Sequence, residues 1–157
     1  MSGLEDELVR RHLNDFDQRA TSWMAAHGVR LLECSLGVIF LWFGFNKFFP
    51  GLSPEQDLIA RTLPFAEPAL VMPGLAFVES AIGLGLLLGR FKRLTLLLLF
   101  AQMGGTVLPL ILLPDVVWHR FPVALSLEGQ YIVKNLVLIG AGLVIGATVR
   151  GGHLTTK

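Results

Sequence analysis

The sequence predicts an all-α integral membrane protein: a four-helix bundle preceded by an N-terminal amphipathic helix. Composition is the first observation. The 157 residues are 53% hydrophobic and only 16% charged, with a mean hydropathy of +0.62, against roughly 25% charged residues in ordinary soluble domains. Four apolar segments, Val29 to Phe49, Pro73 to Gly89, Leu94 to Pro114 and Tyr131 to Thr148, form the second. A transmembrane helix needs about 20 mainly apolar residues, so each is long enough to cross a bilayer. The third is the placement of basic residues. Arg10, Arg11, Arg19, Arg90, Lys92, Arg93, Arg150 and Lys157 fall on the side shared by both termini and by the turn Arg90-Phe91-Lys92-Arg93, whereas the opposite loops carry Arg61 and Arg120. By the positive-inside rule both termini are expected in the cytoplasm, and an even number of spans agrees.

Two units are expected, an amphipathic helix over residues 1–28 and a four-span domain over residues 29–157. In the first, Leu4, Leu8, Leu13, Phe16, Ala20, Trp23 and His27 recur at three-, four- and five-residue steps, with Glu5, Asp6, Arg11, Asp15 and Arg19 between them. Such a helix suits the cytoplasmic membrane surface; its acids weaken attraction to anionic lipid, so packing on a partner or on its own bundle fits equally. Acids and bases are mixed here and a signal-peptide core is lacking, so the first span is expected to be retained. The single cysteine, Cys34, lies within that span, which rules out an intrachain disulfide or CxxC pair.

After the first span, Ser53 is expected to cap a short external helix, with Pro54 at its first position, Gln56 as capping-box partner, and Pro64 and Pro68 ending it. Gly85-xxx-Gly89 and Gly142-xxx-Gly146 signal close helix packing in the second and fourth spans. In the third, the ring of Pro109 would clash with the carbonyl of Gly105, so a kink is expected beside Thr106. Trp118, His119, Arg120 and Phe121 form an aromatic and basic cluster in the second external loop, where tryptophan ordinarily anchors at the interface.

The candidate site is a polar seam. Arg30, Glu33, Gly37, Phe40, Gly44 and Lys47 follow at steps of three and four in the first span, a stripe polar at its ends and small in its middle that should face the bundle. Arg30 and Glu33 are expected to pair locally. Thr95, Gln102, Thr106 and Pro109 make a similar row in the third span, and Gln130, Lys134, Ala141 and Thr148 lie on related turns of the fourth. At 1.5 Å per residue, Glu79 lies roughly 9 Å inward from Pro73, Lys134 roughly 6 Å inward from Gln130, and Thr106 about 18 Å from the cytoplasmic start of its helix. Asn46, Lys47, Glu79, Gln102, Thr106, Lys134 and Asn135 can therefore share one pocket in the outer half of the membrane. A charge at the bilayer centre costs at least about 2.5 to 3.5 kcal/mol, so Glu79 requires a cation or a proton. With two lysines to one carboxylate, the pocket is expected to be net positive and to suit an anionic or carbonyl-bearing ligand such as a quinone headgroup. An equally physical alternative makes Glu79 and Lys134 a structural pair and lets Lys47 snorkel to water. Metal chemistry is not indicated, because His12, His27, His119 and His153 are scattered on both sides without ligand spacing.

Three segments carry a resemblance: Gly37-Val-Ile-Phe-Leu-Trp-Phe-Gly-Phe-Asn-Lys-Phe-Phe-Pro50, Glu79-Ser-Ala-Ile-Gly83 and Leu127-Glu-Gly-Gln-Tyr-Ile-Val-Lys-Asn-Leu-Val-Leu138. In that order they resemble the DoxX-like superfamily of small four-helix bacterial membrane proteins, more closely its branch related to the reactive-chlorine-resistance inner-membrane proteins. The resemblance implies association with redox or oxidative-stress systems, as a quinone-reactive subunit in some relatives and as a membrane partner of soluble redox proteins in others. The function expected is thus a redox-associated inner-membrane subunit, with quinone as its candidate ligand and no autonomous catalysis. Besides the lipid bilayer, its expected partners are a membrane or soluble redox protein or further copies of itself, and not nucleic acid. Two other readings stand beside this one: a structural or assembly subunit packing through glycine-rich helices, and a small carrier for protons or anions, for which no broken-helix repeat is evident.

Overall fold

In a computed structural model the backbone is described over residues 2–152, and side chains over residues 10–67 and 69–152. His153, Lys157 and the side chains of Leu4, Glu5, Asp6 and Leu8, all used in the sequence reading, lie outside the described residues. The chain divides into two compact units, Met1–Leu32 and Glu33–Lys157. Its elements are α1 (Ser2–Asn46), α2 (Gln56–Thr62), α3 (Pro68–Leu88), α4 (Lys92–Val107), α5 (Pro109–Leu112), α6 (Pro114–Val117), β1 (Trp118–Arg120), β2 (Ala124–Leu125) and α7 (Leu127–Ala147). Four helices are long and apolar enough to cross a membrane: Arg10–Asn46, Ala69–Leu88, Lys92–Leu112 and Leu127–Ala147. The expected all-α membrane bundle is therefore the fold.

The first unit is helical throughout its described length, and the step from amphipathic segment to first span falls inside the unbroken helix α1. Leu13, Phe16 and Trp23 are exposed. Trp23 and His27, one turn apart, stack with ring centroids 5.1 Å apart, and His27 Nδ1 donates to the Trp23 carbonyl at 3.0 Å.

In the second unit the polar stripe of α1 faces inward as its periodicity predicts: Glu33, Gly37, Phe40, Gly44 and Lys47 are all buried, whereas Arg30, the first residue of the expected stripe, is exposed in the first unit. Its small residues sit against α3. A Cβ on Gly44 would lie 2.7 Å from the backbone nitrogen of Ser80, and one on Gly83 would lie 2.5 Å from that of Leu41. Only hydrogen fits at such separations, so these glycines set the distance between the two helices. Gly85 likewise faces Thr95 of α4, and Gly142 meets Leu99 and Phe100. Gly89, by contrast, is a turn residue. It takes φ +65° at the end of α3, and Phe91 is also left-handed at φ +53°, which together turn the chain into α4.

Pro109 interrupts the third span as expected. The helix stops at Val107, and the Gly105 carbonyl accepts instead from the Leu108 N–H at 3.2 Å before α5 resumes at Pro109. Other details differ from the sequence reading. Ser53 does not cap α2: Glu55 holds that position without a side-chain cap, while Gln56 Oε1 reaches further back to accept from the Gly51 N–H at 3.2 Å. Pro54 and Glu55 spend themselves on the turn that precedes the helix, which displaces its start. Pro68 does not end the short helix, which stops at Thr62; it opens α3 at the first helical position, where its missing N–H costs nothing, and Pro73 falls inside the helix. Finally, α7 begins four residues before Tyr131, because Ser126 Oγ accepts from the Gly129 N–H at 3.1 Å. The loop before it forms an antiparallel hairpin pairing Trp118 with Leu125 and Arg120 with Ala124.

Candidate functional site

The end of the bundle that carries α2 and the hairpin encloses a cavity of about 440 Å3. Each surrounding element contributes residues at helical spacing. Ile39, Phe40 and Phe43 come from α1, Leu58, Ile59 and Thr62 from α2, and Leu75 and Glu79 from α3. Gln102, Met103 and Thr106 of α4 form a third side, and α7 adds Glu128, Tyr131, Asn135 and Leu138 in steps of three and four, with Lys134 beside them. The lining is mainly apolar, with its polar groups concentrated at a few points, which is the usual makeup of a small-molecule site.

Glu79 is the centre of that polar cluster. It is 5% exposed and lies near the middle of α3, deeper along its helix than a start at Pro73 implied. Its Oε2 accepts from Lys47 Nζ at 2.8 Å and its Oε1 from Gln102 Nε2 at 2.9 Å. Lys47 is itself buried, at 3% exposure, and its ammonium also meets Glu55 Oε2 at 2.9 Å and stands 5.9 Å from the centre of the Phe43 ring. Burial of the Lys47 and Glu79 charges in a bilayer-spanning bundle is tolerable here because each has a close partner of opposite sign.

Two expectations are corrected by this geometry. Lys47 does not snorkel to water; the turn after α1 folds it inward, where two carboxylates hold it. Nor does Lys134 pair with Glu79. Both Glu79 oxygens are engaged by Lys47 and Gln102, while the Lys134 ammonium, exposed on α7, lies 5.5 Å from the centre of the Tyr131 ring. Of the seven residues singled out from sequence, Glu79, Gln102, Thr106, Lys134 and Asn135 line the cavity. Lys47 stands behind Glu79, and Asn46 is half-buried outside the lining. The Thr106 hydroxyl donates to the Met103 carbonyl at 2.9 Å.

Glu55 and Glu128 were missed as lining residues, and they reverse the expected charge. With Glu79 they make three carboxylates against the ammonium groups of Lys47 and Lys134, so the described groups at the cavity sum to one negative charge rather than one positive. A signal was present in the sequence: Glu55, Leu58, Ile59 and Thr62 share one face of α2, as Glu128, Tyr131 and Asn135 share one face of α7. Trp118, His119, Arg120 and Phe121 do not line the cavity; Trp118 packs edge-on against Phe121 at 5.2 Å. Glu33, buried at 2% exposure, joins Lys92 at the start of α4, a link across 59 residues. Among the described residues, no three His, Cys, Asp or Glu side chains converge as a metal site would require.

A family model, DoxX, matches residues 24–112, more than half of the chain. The chain belongs to the DoxX family. This is a family of membrane proteins associated with stress or redox roles, and a lipid bilayer is the environment its four spans require. The matched stretch holds two of the resembling segments, those around Lys47 and Glu79, together with Gln102 and Thr106. The α7 segment with Lys134 and Asn135 lies beyond it. No curated protein and no solved structure matches this DoxX-family chain.

Proposed function

We propose that this protein is a redox- or oxidative-stress-associated subunit of a bacterial inner membrane that binds a quinone-like ligand in the cavity around Glu79 and works with a partner protein. The observation that carries this reading is the cavity itself. About 440 Å3 suits a single ring system with part of its tail, its walls are apolar, and Glu79, Gln102, Lys134 and Asn135 supply fixed polar contacts on different helices. A ligand partitioned in lipid can reach such a site without crossing water. Membership of the DoxX family supports the redox association, and the three resembling segments support the branch related to reactive-chlorine resistance.

Lys134 offers the cleanest test, because it lines the cavity and is not part of the Lys47–Glu79–Gln102 cluster. Lys134→Met keeps the length of the side chain and removes its charge. Titration of a short-chain quinone analogue into nanodiscs holding either protein should show weaker binding by Lys134→Met with unchanged thermal stability. Equal affinities would take Lys134 out of the site. Absence of binding by both would favour a non-catalytic assembly subunit of a larger membrane complex.

A further inference from the structure

The hydrogen-bonding polarity of the cavity differs from what an oxidised quinone needs. Glu79 is flanked by the Lys47 ammonium and by the Gln102 amide, and each of its oxygens accepts one hydrogen bond. A carboxylate oxygen has room for a second. That fixes the amide as well: beside a carboxylate acting only as acceptor, Gln102 must turn its NH2 to Glu79 and its carbonyl oxygen away. Glu79 and Gln102 both line the cavity, and Glu55 adds a third acceptor nearby. Gln102 keeps one further N–H beside the one it gives Glu79, and the charged donor is on the other wall, where α7 presents the Lys134 ammonium and the Asn135 amide. The one strong donor at the acceptor wall, Lys47, is consumed by Glu55 and Glu79 and does not line the space.

We propose that Glu79 accepts a hydrogen bond from a hydroxyl of the ligand, so that the cavity selects the uncharged, hydroxyl-bearing form of an aromatic ring compound, the hydroquinone, over its oxidised quinone. The proposal rests on the ligand reading above and sharpens it. A quinone carbonyl brought to Glu79 sets acceptor against acceptor in a site with little water, whereas a hydroxyl gains a charge-assisted hydrogen bond. The ring oxygen at the far side, able to accept in either redox form, is met by Lys134. Anionic amphiphiles are disfavoured by the same arrangement, since Glu55, Glu79 and Glu128 surround the space they would enter.

The test is an anaerobic titration of the wild-type protein in nanodiscs with three probes of one skeleton: a short-chain benzohydroquinone, the corresponding benzoquinone, and the hydroquinone dimethyl ether, which keeps the shape and loses both donors. Hydroquinone should bind at least about tenfold more tightly than either of the others, because a site built to pair a hydroxyl leaves its acceptor unsatisfied by the analogue lacking one. Glu79→Gln, checked for folding by its thermal transition, should reduce that preference to about threefold or less, since an amide can donate to a carbonyl as readily as it accepts from a hydroxyl. Quinone or diether binding as tightly as hydroquinone would overturn the proposal and leave the ligand reading standing. Retention of the full preference by folded Glu79→Gln would overturn the role given to Glu79. Failure of all three probes to bind would overturn both readings.

Discussion

Lys47 Nζ lies 2.8 Å from Glu79 Oε2, joining the turn after α1 to the middle of α3 across 32 residues of sequence. The same ammonium holds Glu55 at the entrance to α2, so one side chain connects three elements around the cavity. Its two partners differ in surroundings: the Glu79 side chain is 7% exposed and that of Glu55 is 41% exposed. This difference orders the consequences of removing them.

Glu79→Ala should lower the stability of the detergent-purified protein by about 3 to 5 kcal/mol, the usual cost of leaving a buried charge without its partner. Glu55→Gln should cost no more than about 1 kcal/mol, because water solvates much of that carboxylate. The double variant Lys47→Met, Glu79→Leu should lose less than the sum of its single changes, since no lone charge remains. Thermal unfolding of the six proteins, wild type and the single changes Lys47→Met and Glu79→Leu included, measures all three relationships. Wild-type stability for Glu79→Ala would show that the pair contributes nothing.

Close approach of α1 and α3 makes a second, purely steric prediction. Gly83→Ala forces a methyl group to 2.5 Å from the Leu41 nitrogen and 2.8 Å from the Gly37 carbonyl, both backbone atoms that cannot rotate aside. A loss of about 1 to 3 kcal/mol is expected from such overpacking. Gly104→Ala is the control, since nothing lies within 4 Å of its added Cβ, and it should be neutral or stabilising by up to about 1 kcal/mol. Equal melting temperatures for the two variants would mean that the helices part freely.

Ser126→Ala should cost about 1 kcal/mol by removing the hydroxyl that accepts from the Gly129 N–H at the start of α7. Ser126→Asp, which restores a capping oxygen, should recover part of the loss. Because Glu128 and Tyr131 follow within the first turns, amide hydrogen exchange at residues 127–131 is the sensitive readout. Unchanged exchange in Ser126→Ala would show that the hairpin alone holds this helix end.

The proposed orientation, with both termini in the cytoplasm, is tested by reporters active only in the periplasm. Fusion after Lys157 or insertion between Arg90 and Arg93 should be silent, and insertion near Pro54 or Phe121 should be active. Activity after Lys157 would reverse or break the four-span topology.

The sequence by itself determined the number of spans, since about 20 apolar residues have no stable alternative to a helix once they lie in lipid. It also determined the buried face of α1, because a 3.6-residue period places Glu33, Gly37, Phe40, Gly44 and Lys47 on one side whatever packs there. Five cavity-lining residues were legible for the same reason: chemistry and depth along a helix can be counted. Partner choice could not be counted. Whether Glu79 meets Lys47 or Lys134 depends on how far each helix is rotated about its axis and on the turn after Asn46, and the close contacts of Gly44 and Gly83 hold α1, with Lys47 at its end, against α3. Likewise, Glu33 reaches Lys92 because Gly89 and Phe91 fold α4 back beside it. The charge of the cavity was decided last and only in three dimensions, when short α2 and the first turn of α7 brought Glu55 and Glu128 to a site where two lysines and one carboxylate had been apparent.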